Sequence, residues 1–253
     1  MSEPTSWPTA ASDAPDPAAL SDDPARARLA IALDVDDLVV AIRMARDLRP
    51  WFSVAKVGLE LFSAVGPDAV TAMADLGYDV FADLKYHDIP TTVGRAARVT
   101  GALGAKYLNF HAQGGVDMLR AGVEGFKQGA TDAGMPEPVA LAVTILTSEP
   151  EAPADAMATR VGAAIEAGCD GVVCGAHDVA AVRQLAPAFV TMVPGIRPAG
   201  VDDHDQGRPG TPTEAIGAGA SVIILGRAVT RAADPVAAAT AVHAEVTAAL
   251  TRA

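Results

Sequence analysis

Short apolar runs that alternate with helix-like segments are the feature that most constrains how this chain can fold. The first helix-like segment places Leu38, Ile42, Ala45 and Leu48 at helical spacing, so that they share one face. The other segments between the runs also read as helices. The pattern predicts eight strands, each followed by a helix, with the strands at residues 29–33, 53–58, 80–84, 106–111, 139–146, 171–174, 189–193 and 221–225.

The apolar runs are continuous rather than alternating, which is typical of parallel strands that are buried on both faces. Eight strand–helix units in 253 residues fit a single (β/α)8 barrel, the TIM-barrel architecture of the α/β class. A doubly wound open sheet is the alternative, but it rarely keeps so regular an alternation through eight units. We therefore predict one barrel domain over 26–253. The segment 1–25 is rich in Pro, Ala, Ser and Asp without apolar periodicity, and it is predicted to be a disordered tail.

Composition excludes several classes of function. The formal net charge of −12 argues against nucleic acid or an anionic membrane as a partner. Cys169 and Cys174 are the two cysteines; they fit no zinc spacing and form no disulfide framework, so they are expected to be small core residues in a reducing compartment. The chain has no apolar run of membrane-spanning length and no signal-peptide pattern. We predict a cytoplasmic protein.

Charged residues collect at the end of the third predicted strand. Asp83 and Lys85 alternate with Leu84, so they share one face if the strand continues, and Asp88 follows just past the strand end. Opposite charges on an apolar strand are costly unless they meet each other or a ligand. The alternative is a structural ion pair with a helix cap. We favour a site, because the other strands also end in polar residues on the same rim.

Those other polar residues lie where a (β/α)8 barrel places its active site, at the C-terminal ends of the strands. Loops after strands seven and eight often bind phosphate, through glycine N–H groups and an arginine fork. Gly226 and Arg227 follow strand eight, and the loop after strand seven contains Arg197 and Gln206; a solvated surface loop is the alternative there. The remaining candidates at strand ends are Asp34, Lys56, His111, Thr144 and Thr147.

The motif Asp83-x-Lys85-x-x-Asp88-Ile89-Pro90-x-Thr92 resembles the signature of the orotidine 5′-phosphate decarboxylase family. The resemblance extends over the predicted barrel domain, because further family-like motifs follow in order. The run that ends in Asp205-Gln206 departs from the usual acid-acid-glutamine pattern. These further motifs are Leu33-Asp34-Val35, Lys56-Val57-Gly58-x-Glu60-Leu61-Phe62, Val143-Thr144-x-Leu146-Thr147-Ser148, Pro194-Gly195-Ile196-Arg197 and Leu225-Gly226-Arg227.

The resemblance implies decarboxylation of orotidine 5′-phosphate, with no metal and no organic cofactor. It implies that Lys85 donates a proton to C6 of the pyrimidine, flanked by Asp83 and Lys56. Asp34 and Lys56 would bind the ribose, and Thr147 would contact the pyrimidine. The phosphate would be held by Gln206, Gly226 and Arg227, with Arg197 close by.

The resemblance also implies a homodimer with shared active sites, in which Asp88, Ile89 and Thr92 reach into the site of the neighbouring subunit. Two alternatives stay open at this point. One is a metal-dependent sugar-phosphate aldolase or epimerase on a related barrel, similar to 3-hexulose-6-phosphate synthase. The other is a barrel that only binds a phosphorylated ligand, although a pure binder has little need of alternating buried charges.

Overall fold

The computed structural model describes Trp7, 22–145, Pro153, 155–198 and 210–252. Each of its eight strands pairs in parallel with the next one in the chain, and the last pairs with the first, so the sheet closes into a barrel. The predicted (β/α)8 barrel is therefore confirmed. The strands are β1 Leu29–Ala32, β2 Val54–Gly58, β3 Asp79–Tyr86, β4 Tyr107–His111, β5 Val139–Val143, β6 Gly171–Val173, β7 Val190–Val193 and β8 Val222–Leu225.

The described residues contain ten α-helices, two more than the predicted eight. Both additional helices are short and directly follow a strand, one after β2 and one after β8, which is why the helical spacing did not reveal them. The helices are α1 Leu38–Leu48, α2 Leu59–Val65, α3 Asp68–Asp75, α4 Pro90–Ala102, α5 Gly115–Asp132, α6 Ala156–Ala167, α7 Val179–Leu185, α8 Pro212–Gly217, α9 Arg227–Thr230 and α10 Pro235–Arg252.

Apolar side chains fill both faces of the barrel wall. The interior holds a separate buried cluster that includes Phe81, Leu141, Met192 and Ile224. The outward-facing side chains of the strands pack against the helices in a second, larger cluster. Burial on both faces explains why the strands read as continuous apolar runs, and it leaves the strand ends as the places where charged side chains can collect.

The barrel buries both thiols, and helices α1 and α10 contact two residues of the segment predicted as a tail. Burial raises the pKa of Cys169 and of Cys174 to about 12, so both are inert core residues, as predicted. Asp23 hydrogen-bonds His243 of α10 at 2.6 Å, and the Trp7 indole donates to Asp47 of α1. None of the described helices is long and apolar enough to cross a membrane.

Helices α4 and α5 pack with their backbones in direct contact, through glycines. A Cβ at Gly129 would overlap the carbonyl oxygen of Arg98, and a Cβ at Gly125 would overlap that of Gly94. Helix α4 starts immediately after Asp88 and Ile89, so this tight pair holds the segment that follows β3. The glycines of α5 therefore support one edge of the candidate site.

We expect Gly129→Ala to lower the thermal midpoint of unfolding, because the new methyl group must push α4 away from α5. Overpacking of this kind costs about 1–3 kcal/mol. The matched control is Gly162→Ala in α6, where a Cβ would meet open space and where alanine should stabilise the helix by up to about 1 kcal/mol. Calorimetric melting of both variants tests this. If the Gly129→Ala and Gly162→Ala variants unfold at the same midpoint, the α4–α5 contact accommodates the methyl group without a measurable loss of stability.

Candidate active site

Four charged side chains of alternating sign form a continuous chain at the C-terminal end of the barrel. Lys56 Nζ of β2 lies 2.8 Å from Asp34 Oδ1, just past β1, and 3.5 Å from Asp83 Oδ2 of β3. Asp83 Oδ1 in turn lies 2.5 Å from Lys85 Nζ. The structure thus brings together four of the predicted site residues, which come from three neighbouring strands. We call this set the charge chain.

The middle of the charge chain is buried and its two ends are accessible. Burial alone would lower the pKa of Lys56, but Asp34 and Asp83 outweigh it and raise that pKa. Burial alone would raise the pKa of Asp83, but Lys56, Lys85 and a hydrogen bond from Asn109 together hold it below its usual range. Both groups are therefore charged at neutral pH. The side chains of Asp34 and Lys85 keep 54% and 34% of their exposure, so a ligand can reach both ends.

A glycine makes room for the charge chain. A Cβ on Gly58, the last residue of β2, would lie 2.9 Å from Lys56 Nζ and 3.1 Å from Asp34 Oδ1. Any side chain at this position would displace the ion pair. The close approach explains why β2 ends in glycine directly beside two charged groups.

Lys85 reaches the site by a backbone distortion that strand alternation does not predict. Its φ is +48°, and it is the one non-glycine residue with positive φ in the described part of the chain. Strand β3 does continue to Tyr86, but its pairing with β4 shifts register between Ala82 and Tyr86. Left-handed backbone is costly for a residue with a Cβ and is concentrated at functional sites.

Asn109 of β4 is a site residue that the sequence reasoning missed. Its side chain is fully buried; Nδ2 donates to Asp83 Oδ1 at 2.7 Å, and Oδ1 accepts from the backbone N–H of Lys85 at 2.7 Å. The available signal was a polar residue between Leu108 and Phe110 in the middle of a predicted strand, because a buried amide requires partners.

A cavity opens beside Lys85 and Asp83, with mostly apolar walls. Charges act over a longer range next to apolar walls, because little water is present to screen them. The cavity therefore offers a place where the Lys85 ammonium can act strongly on a charged reacting atom. Its remaining lining residues are Phe81, Val143, Ile145, Val173, Cys174, Pro194 and Ile224.

Asp88, Ile89 and Thr92 lie on the outer surface of the rim and are exposed. Asp88 Oδ1 accepts a hydrogen bond from the Ile89 backbone N–H at 2.7 Å, and within the described ranges no ion pair involves Asp88. Ile89 keeps 66% of its exposure, which is unusual for isoleucine. These side chains are not brought to Lys85 of the same chain.

The predicted phosphate-binding residues are only partly described. Arg197 is buried; its backbone N–H donates to the Gly210 carbonyl at 2.9 Å, and its guanidinium donates to the Ile196 carbonyl. The contact with Gly210 links described residues on either side of 199–209, which lie outside the described part of the chain. Arg227 starts α9 directly after Gly226, at the end of β8. Thr147 and Gln206 lie outside the described residues.

Two other predicted rim residues make local contacts. The Thr144 hydroxyl donates to the Val173 carbonyl at 3.0 Å, which ties β5 to β6. His111 stacks on His87, with the ring centroids 5.2 Å apart. In the part of the chain that the structure describes, no three His, Cys, Asp or Glu side chains cluster as metal ligands would.

Comparisons with known proteins show the family to which this chain is similar. The model of the Orotidine 5′-phosphate decarboxylase / HUMPS family matches residues 27–242. The chain is 44% identical to orotidine 5′-phosphate decarboxylase of Moorella thermoacetica, over 88% of this chain and 93% of that protein. It is 45% identical to the enzyme of the same name from Nitratidesulfovibrio vulgaris, over 88% and 98%. The crystal structure of orotidine 5′-phosphate decarboxylase from Lactobacillus acidophilus superposes with a TM-score of 0.73 at 34% identity, covering 86% of this chain and 98% of that one.

Proposed function

Because the chain belongs to the orotidine 5′-phosphate decarboxylase / HUMPS family, we propose that it converts orotidine 5′-phosphate to uridine 5′-phosphate (UMP) and CO2. This reaction is the last step of de novo pyrimidine nucleotide biosynthesis. The observation that carries the proposal is the Lys85 ammonium, which Asp83 holds at the edge of a mostly apolar cavity.

Decarboxylation of orotidine 5′-phosphate requires a cation beside C6 of the pyrimidine. Loss of CO2 leaves an electron pair at C6 of the pyrimidine, where no neighbouring carbonyl can act as an ordinary electron sink. A preorganised ammonium stabilises this developing charge and then transfers its proton to C6, which completes UMP. Lys85 suits the role, because its ammonium is accessible from the cavity while its position is fixed by the ion pair with Asp83.

Asp83 and Lys56 act through their charges. Asp83 is ionised and would face the substrate carboxylate that leaves as CO2. Lys56 keeps Asp83 charged from the other side, 3.5 Å away. We assign binding of the ribose hydroxyls to Asp34, which is the accessible far end of the charge chain, and to Lys56, whose ammonium lies 2.8 Å from it.

We assign the remaining contacts by the family pattern. Thr147 contacts the pyrimidine, and Gln206, Gly226 and Arg227 bind the phosphate with Arg197 close by. The phosphate is remote from C6, so its binding energy can close the loop after β7 over the substrate and exclude water. The hydrogen bond between the Arg197 N–H and the Gly210 carbonyl supports this, because it links the described residues on either side of 199–209.

We propose a homodimer in which Asp88, Ile89 and Thr92 complete the site of the neighbouring subunit. These residues are exposed, Asp88 bonds the Ile89 N–H rather than the charge chain, and an isoleucine with 66% exposure is suited to a protein contact. The tight α4–α5 packing would hold the segment in place for that contact. The free, buried thiols are consistent with a cytoplasmic enzyme.

The family model also covers the metal-dependent rival. Lys56 favours the decarboxylase, because its ammonium already lies between the carboxylates of Asp34 and Asp83. The test is spectrophotometric turnover of orotidine 5′-phosphate after dialysis against a chelator. We expect unchanged turnover, with no reaction of a hexulose phosphate. Loss of activity that magnesium restores would favour the rival.

We expect Arg227→Ala to lower kcat/KM for the nucleotide by at least about tenfold, because a charge-assisted contact contributes roughly 1.5–3 kcal/mol and each ~1.4 kcal/mol is tenfold. The phosphate-free nucleoside orotidine should be almost unaffected, since it never makes that contact. Arg231→Ala, one turn further along the chain, is the matched control. Equal losses on nucleotide and nucleoside would show that Arg227 is structural and that the phosphate binds elsewhere.

A further inference from the structure

Asn109 bonds to the reactive end of the charge chain through both ends of its amide. The residue lies between Leu108 and Phe110 on β4 and is fully buried. Its Nδ2 donates to Asp83 Oδ1, and its Oδ1 accepts from the Lys85 N–H, both at 2.7 Å. A buried amide needs such partners, and here both belong to residues assigned to chemistry: the carboxylate of Asp83 and the backbone N–H of Lys85.

The Asn109 side chain takes the place of a missing strand contact. The register between β3 and β4 shifts between Ala82 and Tyr86, and Lys85 has a φ of +48° in this interval. Its N–H is therefore not in the regular ladder, and the carbonyl of the Asn109 side chain accepts it instead. The same amide fixes the Asp83 oxygen that contacts Lys85 Nζ.

We propose that Asn109 is a positioning residue for decarboxylation: its amide holds Lys85 in the left-handed conformation and orients the Asp83 carboxylate toward the Lys85 ammonium. The inference rests on the proposed function, because it assigns Asn109 a part in the same reaction. It also explains the residue type. The site needs an acceptor toward Lys85 and a donor toward Asp83, and an uncharged amide supplies both at every pH.

Asn109→Asp tests this directly. One oxygen of the new carboxyl can still accept from Lys85, but the other faces Asp83 Oδ1 and must carry a proton to replace the lost N–H donor. The charged groups nearest the amide are Asp83 and Lys85 of β3, with Lys56 of β2 on the far side of Asp83, while the residue paired with Asn109 on β5 is Leu141. We expect the kcat of this variant to fall about tenfold per pH unit above a new apparent pKa that the wild type lacks. UMP affinity measured by calorimetry should stay within about threefold.

Asn109→Ser is the second variant, because serine is too short to make both hydrogen bonds. We expect its kcat to fall at least about tenfold with UMP affinity preserved, and its crystal structure to show Lys85 with negative φ. The control is Thr191→Val on β7, a buried polar residue whose hydroxyl bonds Ser221, away from the charge chain. It should retain the wild-type kcat and pH profile.

The proposal is overturned if Asn109→Asp keeps the wild-type pH profile and Asn109→Ser keeps the wild-type kcat. It is also overturned if kcat and UMP affinity fall together, or if neither variant reaches the native fold, because Asn109 would then be structural. A wild-type chain without turnover would instead refute the proposed function. The φ of Lys85 in the Asn109→Ser crystal structure would still test the positioning role in that case.

Discussion

Replacement of Lys85 by alanine is expected to lower kcat by at least about 10³-fold, since it removes both the general acid and the cation that stabilises charge at C6. UMP affinity should change little, because the contacts assigned to the ribose and phosphate remain. A group that acts mainly in the transition state affects kcat far more than KM. Spectrophotometric single turnovers and UMP titration of the same preparation measure the two effects separately.

The Lys85→Ala variant should fold, for a reason visible in the charge chain. Asp83 keeps Lys56 at 3.5 Å and the hydrogen bond from Asn109, so its buried carboxylate is still partnered. Lys106→Ala is the control: this lysine precedes β4 and its Nζ donates to the Glu137 carbonyl, away from the charge chain. A correctly folded Lys85→Ala enzyme with kcat within tenfold of wild type would refute the assignment of Lys85.

The second large effect is expected from mixing two inactive variants, Lys85→Ala and Asp88→Ala. In a hybrid dimer with shared sites, one site carries both defects and the other carries neither. An equal mixture that exchanges subunits should recover about a quarter of wild-type activity, because about half of the dimers are hybrids and each has one intact site. Activity is measured after a cycle of dilution and reconcentration, against each variant alone.

This complementation follows from the position of Asp88 relative to Lys85. Asp88 is only three residues from Lys85 in the sequence, yet its carboxylate is exposed and bonds the Ile89 N–H rather than the charge chain. If it acts in catalysis at all, it is best placed to do so across an interface. A mixture as inactive as its components, despite proven subunit exchange, would contradict shared sites. So would a fully active monomer in sedimentation.

The barrel could be predicted from the sequence because the strands of a (β/α)8 fold are buried on both faces. Each strand is therefore a continuous apolar run, and the sequence contains eight such runs. Local spacing could not predict α2 and α9, because a helix of one or two turns shows too little periodicity. It did predict that Asp34, Lys56, Asp83 and Lys85 lie on one rim, since the ends of parallel strands meet there.

The details that make the site work depend on contacts between strands. The left-handed backbone of Lys85 arises from a register shift between β3 and β4, which no single stretch of sequence encodes. Asn109 was overlooked for the same reason, because its partners are 24 and 26 residues away. The need for glycine at position 58 could not be predicted either, because it depends on how close Lys56 and Asp34 lie in the folded chain. The roles assigned to the site residues, including those of Thr147 and Gln206, stay predictions.

The central claim is that the Lys85 ammonium stands at C6 of the pyrimidine, and a crystal structure with a UMP analogue that carries an anionic oxygen on C6 tests it most directly. We predict Lys85 Nζ within about 3 Å of that oxygen, in the range of a hydrogen bond. We also predict the ribose beside Asp34 and the phosphate beside Arg227. An analogue bound away from the charge chain, or one whose C6 oxygen is contacted by a group other than Lys85, would contradict the claim.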